Sequence, residues 1–239
     1  MAAYIATFVA WGIAFLEPHD DRALIAAAVI PFGMLFDWAL HTFQTGKPNW
    51  QSALITSGIV TLLMPPDVTL PVAVGAVALA IASKHFLLVG KKHVFNPAAF
   101  GVAVTAAVTG LSLGWWPDSF LWLTLLFGLL NAWRVKKFPQ ILSFTVVYIA
   151  LITVLTSFPA SSLAFSDLGI QSLPLQLPYF FILFMLPEPV TSVQPKWQQI
   201  QFGALAAVVA FGVTFVPVLG GASVLWGLLA ANVFARARR

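Results

Sequence analysis

The 239-residue chain contains no cysteine. That excludes disulfides, thiolate metal sites, cysteine-ligated iron–sulfur clusters and cysteine nucleophiles. Charge is scarce as well, with Asp, Glu, Lys and Arg making up only 8% of the residues. The four histidines (His19, His41, His85 and His93) show neither an HExxH pattern nor a comparable metal spacing. Only His41 and His85 lie near an apolar stretch, where a b-type haem would need its ligands, so neither metal nor haem is expected. Walker and dinucleotide-binding motifs are missing, as is any nucleophile–base pattern, and no catalytic residue is assigned. Nothing in the chain points to nucleic acid.

What the chain has in abundance is apolar surface. Hydrophobic residues make up 60% of it, with 21 Phe and 9 Trp, and the mean hydropathy is +0.92. A soluble domain of this size cannot cover such a composition with polar side chains. The expectation is an all-α integral membrane protein forming a single transmembrane domain over residues 1–239. A spanning helix needs about 20 apolar residues. Ten stretches approach this, at 2–16, 23–43, 51–64, 70–89, 96–115, 119–133, 140–157, 178–187, 199–217 and 220–235. The first lacks a basic leader and a small-residue cleavage site, so it reads as a span rather than a signal peptide.

Charge orients these ten spans. With the N-terminus inside, Lys47, Lys91, Lys92, Arg134, Lys136, Lys137, Lys196, Arg236, Arg238 and Arg239 all fall on the cytoplasmic side. Only Arg22 falls outside, and Lys84 lies within the fourth span. Glu17, Asp20, Asp21, Asp67, Asp118 and Asp167 are all outside. The positive-inside rule then gives N-in, C-in topology and a multi-pass protein of the inner (cytoplasmic) membrane.

Two of the shorter stretches end in similar motifs, MPPDVT at Met64 to Thr69 and LPEPVT at Leu186 to Thr191. In a ten-span topology the first faces outward and the second inward, which is the pattern of an inverted five-plus-five repeat with halves at approximately 1–116 and 117–239. Pro65, Pro66, Pro187 and Pro189 should break their helices, because proline lacks the N–H donor and restricts the residue before it. The released carbonyls, with the Thr69 and Thr191 hydroxyls, are tolerable at membrane depth only where protein or water satisfies them. Ordinary interfacial turns are the alternative reading of the same residues.

Ionisable groups inside spans are functional candidates. Asp37 and His41, at i and i+4, can pair on one helix face, as a structural pair or a proton relay. Lys84 can snorkel to the interface or point inward towards an anion or an electron-rich ring. Glu188 is the acidic residue on the basic side. Asn96 can cap the fifth span, with Pro97 in its first turn. The Trp115–Asp118 turn reads as an interfacial anchor, and Arg134–Lys137 as a topology determinant.

The segments SKHFLLVGKKHVFNPAAFG (Ser83 to Gly101) and FFILFMLPEPVTSVQPKWQQIQFGAL (Phe180 to Leu205), following an apolar helix that ends in LMPPD, resemble the RnfD/NqrB family. These are membrane subunits of the Rnf and sodium-pumping quinone reductase complexes, and the likeness extends over about residues 51–217. The resemblance implies a ten-span inverted repeat similar to that of urea and ammonium channels, a flavin, and electron transfer with partner proteins. Characterised members attach FMN to a threonine of an SGAT-type motif after the fifth span. Here that region is GLSLGWWPDS, Gly110 to Ser119, and no SGAT occurs. A non-covalent flavin (FMN or riboflavin) between the broken helices is therefore the expectation, with Lys84, Asn96, Pro97, Asp67, Thr69, Glu188 and Thr191 as the cofactor-binding residues. Redox partner subunits and the lipid bilayer are the expected partners, and an oligomer is open. The competing reading is a small-solute or ion transporter on the same scaffold, and a purely structural subunit is a third.

Overall fold

The computed structural model describes residues 1–14, 22–44, 49–90, 92–156 and 177–238. Glu17, Asp20, Asp21, Lys47, Lys91, Asp167 and Arg239, which enter the charge balance above, lie outside the described residues, as does His19. The described residues are all-α apart from one two-stranded hairpin. The helices are α1 (Ala2–Ala14), α2 (Arg22–Phe43), α3 (Trp50–Leu63), α4 (Leu70–Phe86), α5 (Pro97–Thr109), α6 (Leu121–Val135), α7 (Phe138–Thr156), α8 (Lys196–Thr214) and α9 (Ser223–Ala237). The hairpin pairs β1 (Leu88–Val89) with β2 (Lys92–His93) between α4 and α5. A short π-helical segment, Phe181–Met185, stands where the eighth apolar stretch was expected.

Each expected stretch thus has a helical counterpart, with two differences. The fifth helix stops at Thr109 because Gly110 adopts the left-handed conformation (φ 73°) and turns its N–H back to Ala106 O. The eighth is only a π turn, in which Leu186 N–H reaches Phe181 O. Among the described residues α2 alone is both long and apolar enough to cross a membrane. Several of the other helices are apolar but shorter.

The two elements that end in the proline motifs are deeply buried. Every residue of the π segment is buried, and in α3 the run Thr56–Leu63 is buried on all sides. A helix that buries its whole circumference belongs at the centre of a bundle. Around them the interfaces are made close by alanine. Ala73, Ala76 and Ala80 of α4, Ala99 and Ala103 of α5, Ala206 and Ala210 of α8 and Ala231 of α9 are all fully buried. An aromatic cluster closes the junction of α1, α6 and the π segment, with Tyr4 stacked on Phe127 at 4.9 Å and Phe8 edge-on to Phe180 and Phe184 at 5.6 and 5.5 Å.

Two glycine seats are built alike. A Cβ on Gly101 of α5 would meet Ala76 O of α4 at 2.3 Å, and one on Gly227 of α9 would meet Ala206 O of α8 at 2.3 Å. In both, the next neighbour is an alanine one turn further on, Ala80 or Ala210. Because the obstacle is backbone, an added methyl must separate the helices. Gly101→Ala and Gly227→Ala should each destabilise the protein by about 1 to 3 kcal/mol. Gly75→Ala and Gly212→Ala, with nothing within 4 Å, should be neutral or stabilising by up to about 1 kcal/mol. Thermal unfolding of the four variants measures the contrast.

Candidate functional site

The proline-broken helix ends set the local geometry. At the end of α3, Pro65 and Pro66 bring no N–H, and Leu63 O instead accepts from Gly114 N–H at 2.9 Å. The approach is so close that a Cβ on Gly114 would stand 2.2 Å from Met64 O. Beyond the break Pro66, Asp67 and Thr69 are exposed while Val68 is buried.

At LPEPVT the solution uses side chains. Pro187 removes the donor that Leu183 O would meet one turn on, and Asn131 Nδ2 of α6 supplies it at 2.9 Å. Gln140 Nε2 of α7 donates to Leu186 O at 2.5 Å. Lys137 Nζ donates to Val193 O, and Asn232 Nδ2 of α9 to Thr191 O at 3.3 Å. The released carbonyls are thus satisfied by protein groups, as burial requires. Lys137 is fully buried, so it clamps a loop instead of marking a surface. Trp116 is likewise buried rather than interfacial, against Gly12 and beneath the Arg22 guanidinium at 4.6 Å.

The seven expected site residues fall into three places. Asn96, Pro97, Glu188 and Thr191 lie at one junction. Asn96 Oδ1 caps α5 by accepting from Ala99 N–H at 2.9 Å, and Asn96 N–H donates to Asn232 Oδ1 at 2.9 Å. Asn232 therefore ties the FNPAAFG helix start to the LPEPVT turn. Thr191 Oγ1 donates to Glu188 Oε2 at 2.8 Å, and His93 Nε2 lies 3.9 Å from Glu188 Oε1.

Lys84 stands elsewhere. Its Nζ lies 2.9 Å from Asp37 Oδ1 of α2, close but off the line of a hydrogen bond. Of the two readings of Lys84, the inward one is realised, and towards a carboxylate rather than a ring. His85 Nε2 shares the same Oδ1 at 2.9 Å, and His41 Nε2 lies 3.7 Å from Oδ2. Asp37, His41 and His85 offer donor atoms within 4.8 Å of one another. The ammonium of Lys84 already supplies the positive charge there, so the cluster is an ion-pair network and not a metal centre.

Asp67 and Thr69 form the third place, the wall shared by two cavities. One, of about 400 Å³, runs from Pro65 and Asp67–Thr69 to Val72 and to Thr109–Ser112 at the end of α5. The other, of about 360 Å³, lies towards Leu24, Ile25 and Leu70. Both volumes fall in the range of small-molecule sites. The larger is lined by hydroxyls (Thr69, Thr109, Ser112) and one carboxylate, with no Lys, Arg or His. That lining suits a flat, uncharged, hydrogen-bonding ligand and opposes a phosphate. Lys84, Asn96 and Thr191 line neither cavity.

A further cavity of about 270 Å³ is lined by Trp115, Asp118, Tyr148, Leu177 and Ser223 among others. Asp118 Oδ1 accepts from Phe180 N–H at 2.8 Å. Burial pushes its carboxyl up to about 7, against the pull of the Phe180 and Tyr179 N–H groups.

The residues that sequence reading passed over are Asn131, Gln140 and Asn232, while His85 was weighed only as a haem ligand and not as a partner of Asp37. Each is an isolated polar group in an apolar helix, which was their one available signal. Compared with models of protein families and with curated proteins, the chain matches none.

Two outcomes follow from this geometry. Asn232→Leu, which leaves Asn96 N–H and Thr191 O unpaired, should cost about 2 to 4 kcal/mol in unfolding experiments, and Asn232→Asp, which keeps the acceptor, less. Between the ordinary carboxylate value and about pH 7, the folded chain holds a proton on Asp118 that the unfolded chain has lost. Stability should therefore fall as pH rises through that window, by at most about 1.4 kcal/mol per pH unit. Asp118→Asn should flatten this slope in pH-dependent melting curves.

Proposed function

We propose that the chain is an integral membrane protein with ten spans, N-in and C-in, in the cytoplasmic membrane. Its architecture is an inverted five-plus-five repeat with broken third and eighth helices. Three features support this. Large apolar side chains such as Trp38, Leu126, Leu142, Val146, Val208 and Val233 are exposed along the outer faces of the bundle, where a bilayer would cover them. The two proline-ended elements are deeply buried. The glycine seats of α4–α5 and α8–α9 repeat one another at corresponding places in the two halves.

Within that frame the protein works as an RnfD/NqrB-like electron-transfer subunit that holds a flavin without a covalent bond. The observation that carries this reading is the 400 Å³ cavity between MPPDVT and residues 109–112. It borders the start of Gly110–Ser119, the region where characterised members carry covalent FMN. Because the lining has a carboxylate and no cation, the flavin is riboflavin, whose tail is uncharged. Asp67 and the Thr69, Thr109 and Ser112 hydroxyls would hold its polar edges, and Val68, Val72 and Leu111 would exclude water from the ring. A bound flavin supplies one- and two-electron chemistry, and the chain's task is to position it and tune its surroundings. With no dinucleotide or cluster motif of its own, the chain needs redox partner subunits at both ends of the electron path.

Transport of a small solute or ion on the same scaffold is the second reading. The buried ionisable residues of α2 and α4 favour it, because such groups inside a membrane mark ion pathways.

Titration of the purified protein with riboflavin and with FMN, followed by absorbance and fluorescence quenching, separates the readings. Near-stoichiometric riboflavin binding is expected, at least about tenfold tighter than FMN, and Asp67→Lys should narrow that gap. A protein that stays colourless with both flavins would put transport ahead. For topology, cysteines placed at Asp67 and Glu188 in this cysteine-free chain should label from opposite sides of the membrane, and labelling from one side refutes the inverted repeat.

A further inference from the structure

The cluster between α2 and α4 has no part in flavin binding, yet it gathers four titratable side chains. Asp37 is 1% exposed, and Lys84 and His85 are nearly as buried. Their bonding is unusual at one atom. His85 Nε2 meets Asp37 Oδ1 at 2.9 Å, while His85 Nδ1 lies 3.0 Å from Gln44 Oε1.

Both of these oxygens accept. With both bonds made, each ring nitrogen carries a hydrogen and His85 is an imidazolium. If the Gln44 amide turns over, its NH₂ faces Nδ1, and the ring is neutral with the remaining hydrogen still on Nε2. The bond to Asp37 is the same in the two states. What changes is one proton on Nδ1, and Gln44 can serve either form because its amide ends in an acceptor and a donor. Gln44 is exposed at the C-terminal end of α2, so this edge of the ring is the one nearest water.

Charge points the same way. Lys84 cancels Asp37, so the cluster is neutral with a neutral His85 and carries one positive charge with the imidazolium. Among the described residues, the other titratable group against it is His41 of α2, half-buried, with its ring edge-on to that of His85 at 4.6 Å. Packed helices add no further charge: α3 has no ionisable residue in Trp50–Leu63, and none occurs in Pro97–Thr109 of α5. Of the hairpin, Lys92 is exposed and His93 is turned to Glu188. The ring thus has an apolar surround and one partner whose amide can either accept or donate.

We propose that His85 is a proton-exchange site. It binds a proton from water at Nδ1 on the Gln44 side, holds the resulting imidazolium against Asp37, and releases the proton by the same edge, with Lys84 as the fixed counter-cation. One N–H bond forms or breaks, and no electron moves. In the topology proposed above the proton comes from the cytoplasm, and only that clause rests on the topology.

The test is nitrogen NMR of the full chain carrying ¹⁵N-labelled histidine, with His85 assigned by comparison with His19→Gln, His41→Gln and His93→Gln, over about pH 5 to 8. The wild type should pass reversibly from both nitrogens protonated to a neutral ring protonated at Nε2. Gln44→Glu, which can only accept, should keep the imidazolium to higher pH than Gln44→Leu. The midpoints should differ by at least about one pH unit, a tenfold difference in proton affinity. Because Gln44 is exposed, both variants should fold even where Asp37→Asn does not. A His85 fixed in one protonation state across the range, or a neutral form protonated at Nδ1, or midpoints that ignore residue 44, would each overturn the proposal. None of these outcomes depends on whether a flavin binds.

Discussion

A backbone carbonyl released by a proline in an apolar interior must find another donor, and much of this structure follows from that obligation. Leaving such a group unpaired costs on the order of 1 to 3 kcal/mol, and the breaks after α3 and in LPEPVT release several together. At the first break, the loop after α5 folds back so that Gly114 N–H reaches Leu63 O. At the second, α6, α7 and α9 are drawn in by Asn131, Gln140, Lys137 and Asn232. The interior contacts of these helices are thus fixed by hydrogen bonds as well as by the alanine and glycine surfaces that let them approach.

The extent of the helices was legible in the sequence because it depends on local chemistry. Apolar runs, the Asn96 cap, the Pro97 start and the paired prolines all act within a few residues of themselves, and the structure places helix starts and stops accordingly. The early end of α5 was written at Gly110, a residue suited to a left-handed cap, but the apolar residues beyond it hid the stop. The site was less legible because its bonds are long-range. Asn232 lies 136 positions from Asn96, and His85 lies 48 from Asp37. Periodicity shows which face a residue occupies, not which element will come to meet it. The same limit explains Lys137 and Trp116. Each sits beside a less buried residue of its own kind, Lys136 exposed and Trp115 half-buried, and nothing local distinguishes the one that turns inward.

The polar groups kept inside are few and unevenly placed. Hydroxyls such as those of Thr56 and Thr61 bond back to their own helix and ask nothing of their neighbours. Asp37, Lys84 and His85 are different in kind. A buried ion pair is weak support for stability, since desolvation offsets much of its attraction. The Asp67 cavity is the chemical opposite, lined by hydroxyls around one carboxylate.

The two proline turns also differ in how freely their surroundings can change over evolutionary time. At MPPDVT the rescue comes from a main-chain N–H, which almost any residue provides, and the main demand is that position 114 carry no side chain. Neighbouring positions can drift without loss. At LPEPVT the rescue comes from four particular side chains, three on helices and Lys137 in the turn between α6 and α7, and a change in one of them strands a carbonyl. Divergent descendants of this chain would therefore keep LPEPVT and its distant partners as a co-inherited set, while MPPDVT blurred beyond recognition.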